Sequence, residues 1–72
     1  MEIILSEVDE RLLNALQDNG DWMNRSELSE MVGSALSPYH IARLERMIEA
    51  GLIEKKYEIR GIAQKVFYYR AK

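Results

Sequence analysis

Ten lysines and arginines, twelve acidic residues, no cysteine and a formal net charge of −2 are spread over 72 residues. That length fits one domain over 1–72 with a thin core, so its local signals must agree with one another. The missing thiols exclude disulfides and cysteine metal sites, no apolar run approaches the ~18 residues of a membrane span, and Met1–Leu5 is too short and too acidic to open a signal peptide.

The net charge conceals an asymmetry. Residues 1–33 hold two basic and eight acidic side chains, whereas residues 34–72 hold eight basic and four acidic ones. A polyanionic partner is therefore expected to meet the second half. The competing reading is that both halves simply carry solvated surface charge.

In chain order, Met1–Leu5 is an apolar lead-in, readable as a strand or a contact surface. Ser6-Glu7-Val8-Asp9 resembles a capping box that opens a first helix. Val8, Leu12, Ala15 and Leu16 share one face of it, with Leu13 at the edge. Asn19-Gly20 ends it. Trp22-Met23 is a candidate small strand. Asn24-Arg25-Ser26-Glu27 is a second capping box, with Met23 and Leu28 placed as a hydrophobic staple. The second helix is expected to turn Leu28, Met31 and Val32 inward and to stop at Gly33. Ser34-Ala35-Leu36 is a turn whose Leu36 plugs the gap to the next helix.

The most informative run is Ser37 to Ile53. Ser37 suits an N-cap and Pro38 the first helical position, where a missing N–H costs nothing. Ile41, Leu44 and Ile48 repeat at helical spacing as a core stripe. Arg43 and Arg46 lie off that stripe and are expected to face solvent or a ligand. Gly51 suits the left-handed residue past the helix end, with Leu52 packing back on the last turn.

Beyond Gly51 the period becomes alternating. Ile53, Lys55, Tyr57 and Ile59 share one strand face, and Glu54, Lys56 and Glu58 the other. Lys65-Val66-Phe67-Tyr68-Tyr69 is a second strand, dense in β-formers. Opposing Glu58 to Lys65 gives a favourable cross-strand pair and leaves 59–64 as a loose loop. A tight turn on Arg60-Gly61 opposes Lys56 to Lys65 instead, which is worse.

Helix, short strand, helix, turn, helix and two-stranded wing, in that order, resemble the winged helix-turn-helix superfamily, most closely the ArsR-like and MarR-like transcriptional regulators. The resemblance rests on Asn24–Gly33, on Leu44–Lys55 with its Glu-Ala-Gly-Leu-Ile helix end, and on Lys65–Arg70. It implies an α+β fold: three helices and a two- or three-stranded antiparallel wing sheet. It implies a DNA-binding transcriptional regulator in a cytoplasmic setting, with double-stranded DNA as partner. The third helix, about 38–50, would enter the major groove, and the wing, about 58–65, would lie on the flanking backbone. A winged-helix module that binds another protein is the alternative reading, since fold alone does not fix function.

Under the first reading the candidate DNA contacts are Ser37, Tyr39, Arg43 and Arg46 on the third helix, and Lys55, Lys56, Arg60 and Lys65 around the wing. Each has a structural counterpart: Ser37 as a cap, Tyr39 as a cover for core edges, the arginines as solvated partners of glutamates, the lysines as edge-strand protection. Trp22, Phe67 and Tyr69 read as core or core-edge residues. His40 stands one turn before Leu44 and reads as structural. With no second histidine, cysteine or carboxylate triad, no metal, cofactor or catalysis is expected. Relatives of these families dimerise through terminal helices. This sequence ends at Lys72 after the wing, so a monomer or weak homodimer is expected, through Met1–Leu5 or the wing aromatics.

Overall fold

The computed structural model describes residues 4–72, so the Met1–Leu5 lead-in falls largely outside them; Ile4 and Leu5 lie outside any helix or strand. The elements run α1 (Glu7–Asn19), β1 (Met23–Asn24), α2 (Arg25–Val32), α3 (Pro38–Glu49), β2 (Ile53–Arg60) and β3 (Gln64–Ala71). The chain thus has three helices and a three-stranded antiparallel sheet of order β1-β3-β2.

Each helix opens on a reciprocal capping box, which satisfies amides that the helix cannot pair itself. Ser6 Oγ accepts from the Asp9 amide at 3.2 Å, and Asp9 Oδ2 from the Ser6 amide at 3.0 Å. Asn24 and Glu27 repeat the exchange at 2.8 and 3.0 Å. In α3 the returning side chain is a histidine: the Ser37 amide donates to His40 Nδ1 at 3.1 Å. The expected structural role of His40 is therefore that of a cap. At the other end of α3 the Leu52 amide donates to the Met47 carbonyl at 2.9 Å and the Gly51 amide to the Ile48 carbonyl at 3.0 Å. This is a Schellman closure, and it needs the left-handed backbone that Gly51 supplies at φ 79°.

The core consists of Leu12, Ala15 and Leu16 from α1, Met23 from β1, Leu28 from α2, Leu44 and Met47 from α3, and Ile53 and Tyr69 from the sheet. Val8, Leu13, Val32, Leu36, Ile41 and Ile48 pack around it, partly buried. Two residues depart from expectation. Met31 is 46% exposed, because a helix of eight residues turns one narrow stripe inward and Leu28 and Val32 fill it. Met47 joins the buried stripe of α3 beside Leu44.

The small strand is Met23–Asn24, one residue later than Trp22-Met23; Met23 faces Tyr69 and Asn24 faces Tyr68. The hairpin register also differs from the sequence expectation. Glu58 opposes Val66, Ile59 opposes Lys65 and Arg60 opposes Gln64, so the loop is only Gly61-Ile62-Ala63. Two left-handed residues make that short loop, Gly61 at φ 63° and Ala63 at φ 60°. The reason lies in the core. This register sets Ile53 and Tyr69 on one face with Lys55, Tyr57, Ile59, Lys65 and Phe67. A slip by one residue would turn Tyr68 and Arg70 toward the helices and Tyr69 to solvent.

Candidate nucleic-acid interface

The outward side of α3 is built by subtraction. With Leu44 and Met47 buried and Ile41 and Ile48 half-buried, Tyr39, Ala42, Arg46 and Glu49 form the exposed stripe. Tyr39 is 53% exposed and meets the His40 ring edge-on at 6.1 Å. Ser37 is half-buried, and its hydroxyl lies 2.9 Å from His40 Nδ1, so it is committed to the cap.

Arg43 is the main correction. It does not face solvent. Its Nε donates to Asp9 Oδ1 at 2.7 Å, and its Nη2 bonds Asp9 Oδ2. Asp9 is fully buried, the one buried charged side chain among the described residues. A carboxylate without water must be paired and hydrogen-bonded, and here Arg43 and the Ser6 amide supply both needs. The Arg43 hydrogen bonds hold the Asp9 carboxyl down from its ordinary 3.8 to about 2, against the upward pull of burial. The same pair raises Arg43 above its ordinary value. One side chain thus caps α1 and fastens α3 to it.

The sheet separates the wing cations onto two faces. Lys55 and Lys65 share the inner face, on the side of the buried Ile53 and Tyr69; Lys56 and Arg60 share the outer face with Arg70. On the inner face Lys55 Nζ bonds Glu45 Oε1 of α3 at 2.5 Å and lies 5.4 Å from the Phe67 ring centre. Lys65 stands 4.9 Å over Tyr57. On the outer face Lys56 lies 4.8 Å over Trp22, Arg60 donates to the Tyr68 hydroxyl at 2.9 Å, and Arg70 is held by Glu54 at 2.7 Å. Trp22 is accordingly a half-buried platform for Lys56 and Arg70.

Sequence reasoning passed over Arg25. It opens α2, where a cation opposes the helix dipole, so it has a reason to lean elsewhere. Its Nε donates to the Tyr69 hydroxyl at 3.1 Å and its guanidinium lies 4.8 Å over Phe67. With Asn24, Ser26 and Lys65 it lines an open groove of about 260 Å³ between α2 and the wing.

Pairing also recasts the charge asymmetry. Arg43, Lys55, Arg60 and Arg70 each have a carboxylate within salt-bridge distance, Arg60 at a loose 3.7 Å. Among the described residues the cations without such a partner are Arg25, Arg46, Lys56, Lys65 and Lys72. Residues 4–72, the described ones, contain no group of three or more metal-ligating side chains and no helix long and apolar enough to cross a membrane.

Three helices, a capped helix-turn-helix and a hairpin wing define the winged helix class. The family model described as winged helix-turn-helix DNA-binding matches residues 5–54, well over half the chain. The chain belongs to that family. No curated protein and no solved structure matches it significantly.

Proposed function

We propose that residues 1–72 act as one unit, a DNA-binding transcriptional regulator that lays α3 in the major groove and its wing along the flanking backbone. The observation that carries this reading is the stripe Tyr39–Ala42–Arg46, exposed along α3 with Arg46 free of any carboxylate. Ala42 keeps the middle of the stripe low, which favours close approach to a groove floor. Arg46 is a candidate for bidentate contact to guanine or for a phosphate, and Tyr39 for a base edge or phosphate near the helix start. Arg25 and Lys65, which line one groove, are candidates for backbone phosphates; Arg60, near the wing tip on the outer face with Glu58 at 3.7 Å, contributes less. Lys55 is opposed by Glu45 and Lys56 lies on the outer face, so both contribute less. Arg43 serves by fixing α3. No cofactor is needed for any of these roles.

The second reading, a protein-interaction module, draws on the wing's exposed apolar side chains: Tyr57 at 55%, Ile59 at 65% and Ile62 fully exposed. Selection from random duplex DNA separates the two. The DNA reading predicts an enriched motif, and Arg46→Ala relaxing preference at one position by about 1–3 kcal/mol. No enrichment and no retention of duplex at low salt would favour the protein partner.

A further inference from the structure

The outer edge of the sheet is open. β2 is the terminal strand of the order β1-β3-β2, eight residues long, and among the described residues nothing pairs with its second edge. Such an edge presents a row of unpaired amides and carbonyls, and proteins usually block it with lysines, bulges or a covering element. Here Lys55 and Lys56 stand on it, but so do Glu54 and Glu58, and beside them the exposed Tyr57 and Ile59.

We propose that β2 is a homodimer interface: two copies join antiparallel through this edge, in the register that sets Tyr57 opposite Tyr57 of the second copy. The argument is the charge order of the strand. In that register Glu54 faces Arg60 and Lys56 faces Glu58, and by symmetry each pair occurs twice. All four opposite-charge pairs lie on the outer face. On the inner face Tyr57 meets its own copy and Ile59 meets the Lys55 stem. Directly opposed residues have Cβ atoms roughly 5 Å apart, close enough for these pairs to count.

The neighbouring registers on the same faces fail. A shift that centres the axis on Lys56 sets Lys56 against Lys56 and Glu54 against Glu58. A shift to Glu58 sets Glu58 against Glu58 and Lys56 against Arg60. The charges that shield the edge from indiscriminate pairing therefore admit one self-pairing and repel its neighbours. In the single chain Glu54 also holds Arg70 at 2.7 Å, while Lys56 folds back over Trp22 and Tyr68, and Arg60 bonds the Tyr68 hydroxyl and lies 3.7 Å from Glu58. The Lys56 and Arg60 side chains are exposed and free to swing outward. The two-fold axis runs perpendicular to the joined sheet, so both copies carry their helices on the same side of it. That is the arrangement a two-fold symmetric duplex site requires, although the dimer itself does not depend on DNA.

Sedimentation velocity over a wide concentration range, on the full chain without DNA, tests the pairing. The wild-type chain should show a concentration-dependent dimer. Lys56→Glu and Glu58→Lys each place like charges together at two sites, and each should weaken the dimer by about tenfold or more. The double variant Lys56→Glu/Glu58→Lys exchanges the signs and should dimerise like wild type. Recovery in the double variant also shows that the single changes did not simply unfold the chain. A wild-type chain that stays monomeric throughout, singles that dimerise unchanged, or a double variant without recovery would each overturn the proposal.

Discussion

The two arginines of α3 sit three residues apart and have opposite fates. Arg43 turns back to a buried carboxylate on α1, whereas Arg46 stays exposed without a carboxylate partner. The helical body and the wing differ in the same way. In the body, capping boxes and buried side chains fix each element twice over. In the wing, only Ile53 and Tyr69 reach the core fully, Phe67 and Ala71 pack at its edge, and most of β2 with the loop stands in solvent, its cations over aromatic rings. The body holds its charges to position α3, and the wing leaves charges and apolar groups for something else to meet.

The largest expected effect falls on the body. Asp9→Ala should destabilise the fold by about 3–5 kcal/mol, because it strands the Arg43 guanidinium and removes the return bond of the α1 capping box together. Arg43→Ala should also destabilise strongly, unlike a typical surface change, by leaving Asp9 buried and unpaired. Leu44→Ala should cost about 2–5 kcal/mol as a buried large-to-small change. Urea melts of the three variants check these values; an Arg43→Ala protein as stable as wild type would break the contrast between the two arginines.

The same pair gives a pH signature. Asp9 titrates lower in the folded chain than its ordinary 3.8, at about 2. The stability it contributes is therefore full above 3.8 and is lost as pH falls toward about 2. Urea melts at stepped pH should show Asp9→Asn missing that part of the acid-induced loss.

Changes in the wing should be smaller. Tyr57→Ser and Ile59→Ser are expected to stay within about 0.5 kcal/mol, as exposed positions usually do. Smaller still is Ala63→Gly. It relieves a left-handed alanine but loosens the unfolded chain, and the two nearly cancel, for a net change below about 0.5 kcal/mol. Thermal melts measure both, and a large loss from Ile59→Ser at low protein concentration would mean that the wing has a core of its own.

Where local chemistry decides, the sequence was readable. Ser6, Asn24 and Ser37 announce their helices because a cap and its partner lie three residues apart. Gly51 announces the end of α3 for the same local reason. Arg43 was misread because its partner lies 34 positions away, and nothing near Asp9 shows that one carboxylate serves both a cap and an ion pair. The hairpin register was missed by one because Ala63 gives no hint of a left-handed turn. Arg25 was passed over because its value as a groove-lining cation depends on Phe67 and Tyr69, brought to it only by the fold. The charge asymmetry was legible as a count, but which cations remain free depends on tertiary pairing.

The central claim is that Arg25, Arg46 and Lys65, which have no carboxylate partner, meet DNA, whereas a cation already paired, such as Arg70, does not. Fluorescence anisotropy of a duplex across a salt series measures this directly, because each neutralised phosphate releases counterions. The wild-type log–log slope should be about −3 to −5 for ~3–5 phosphate contacts. Arg25→Gln and Lys65→Gln should each make the slope shallower by about one. Arg70→Gln, whose charge Glu54 already neutralises, should leave it unchanged. Equal shifts in all three variants, or no binding even at low salt, would contradict the account.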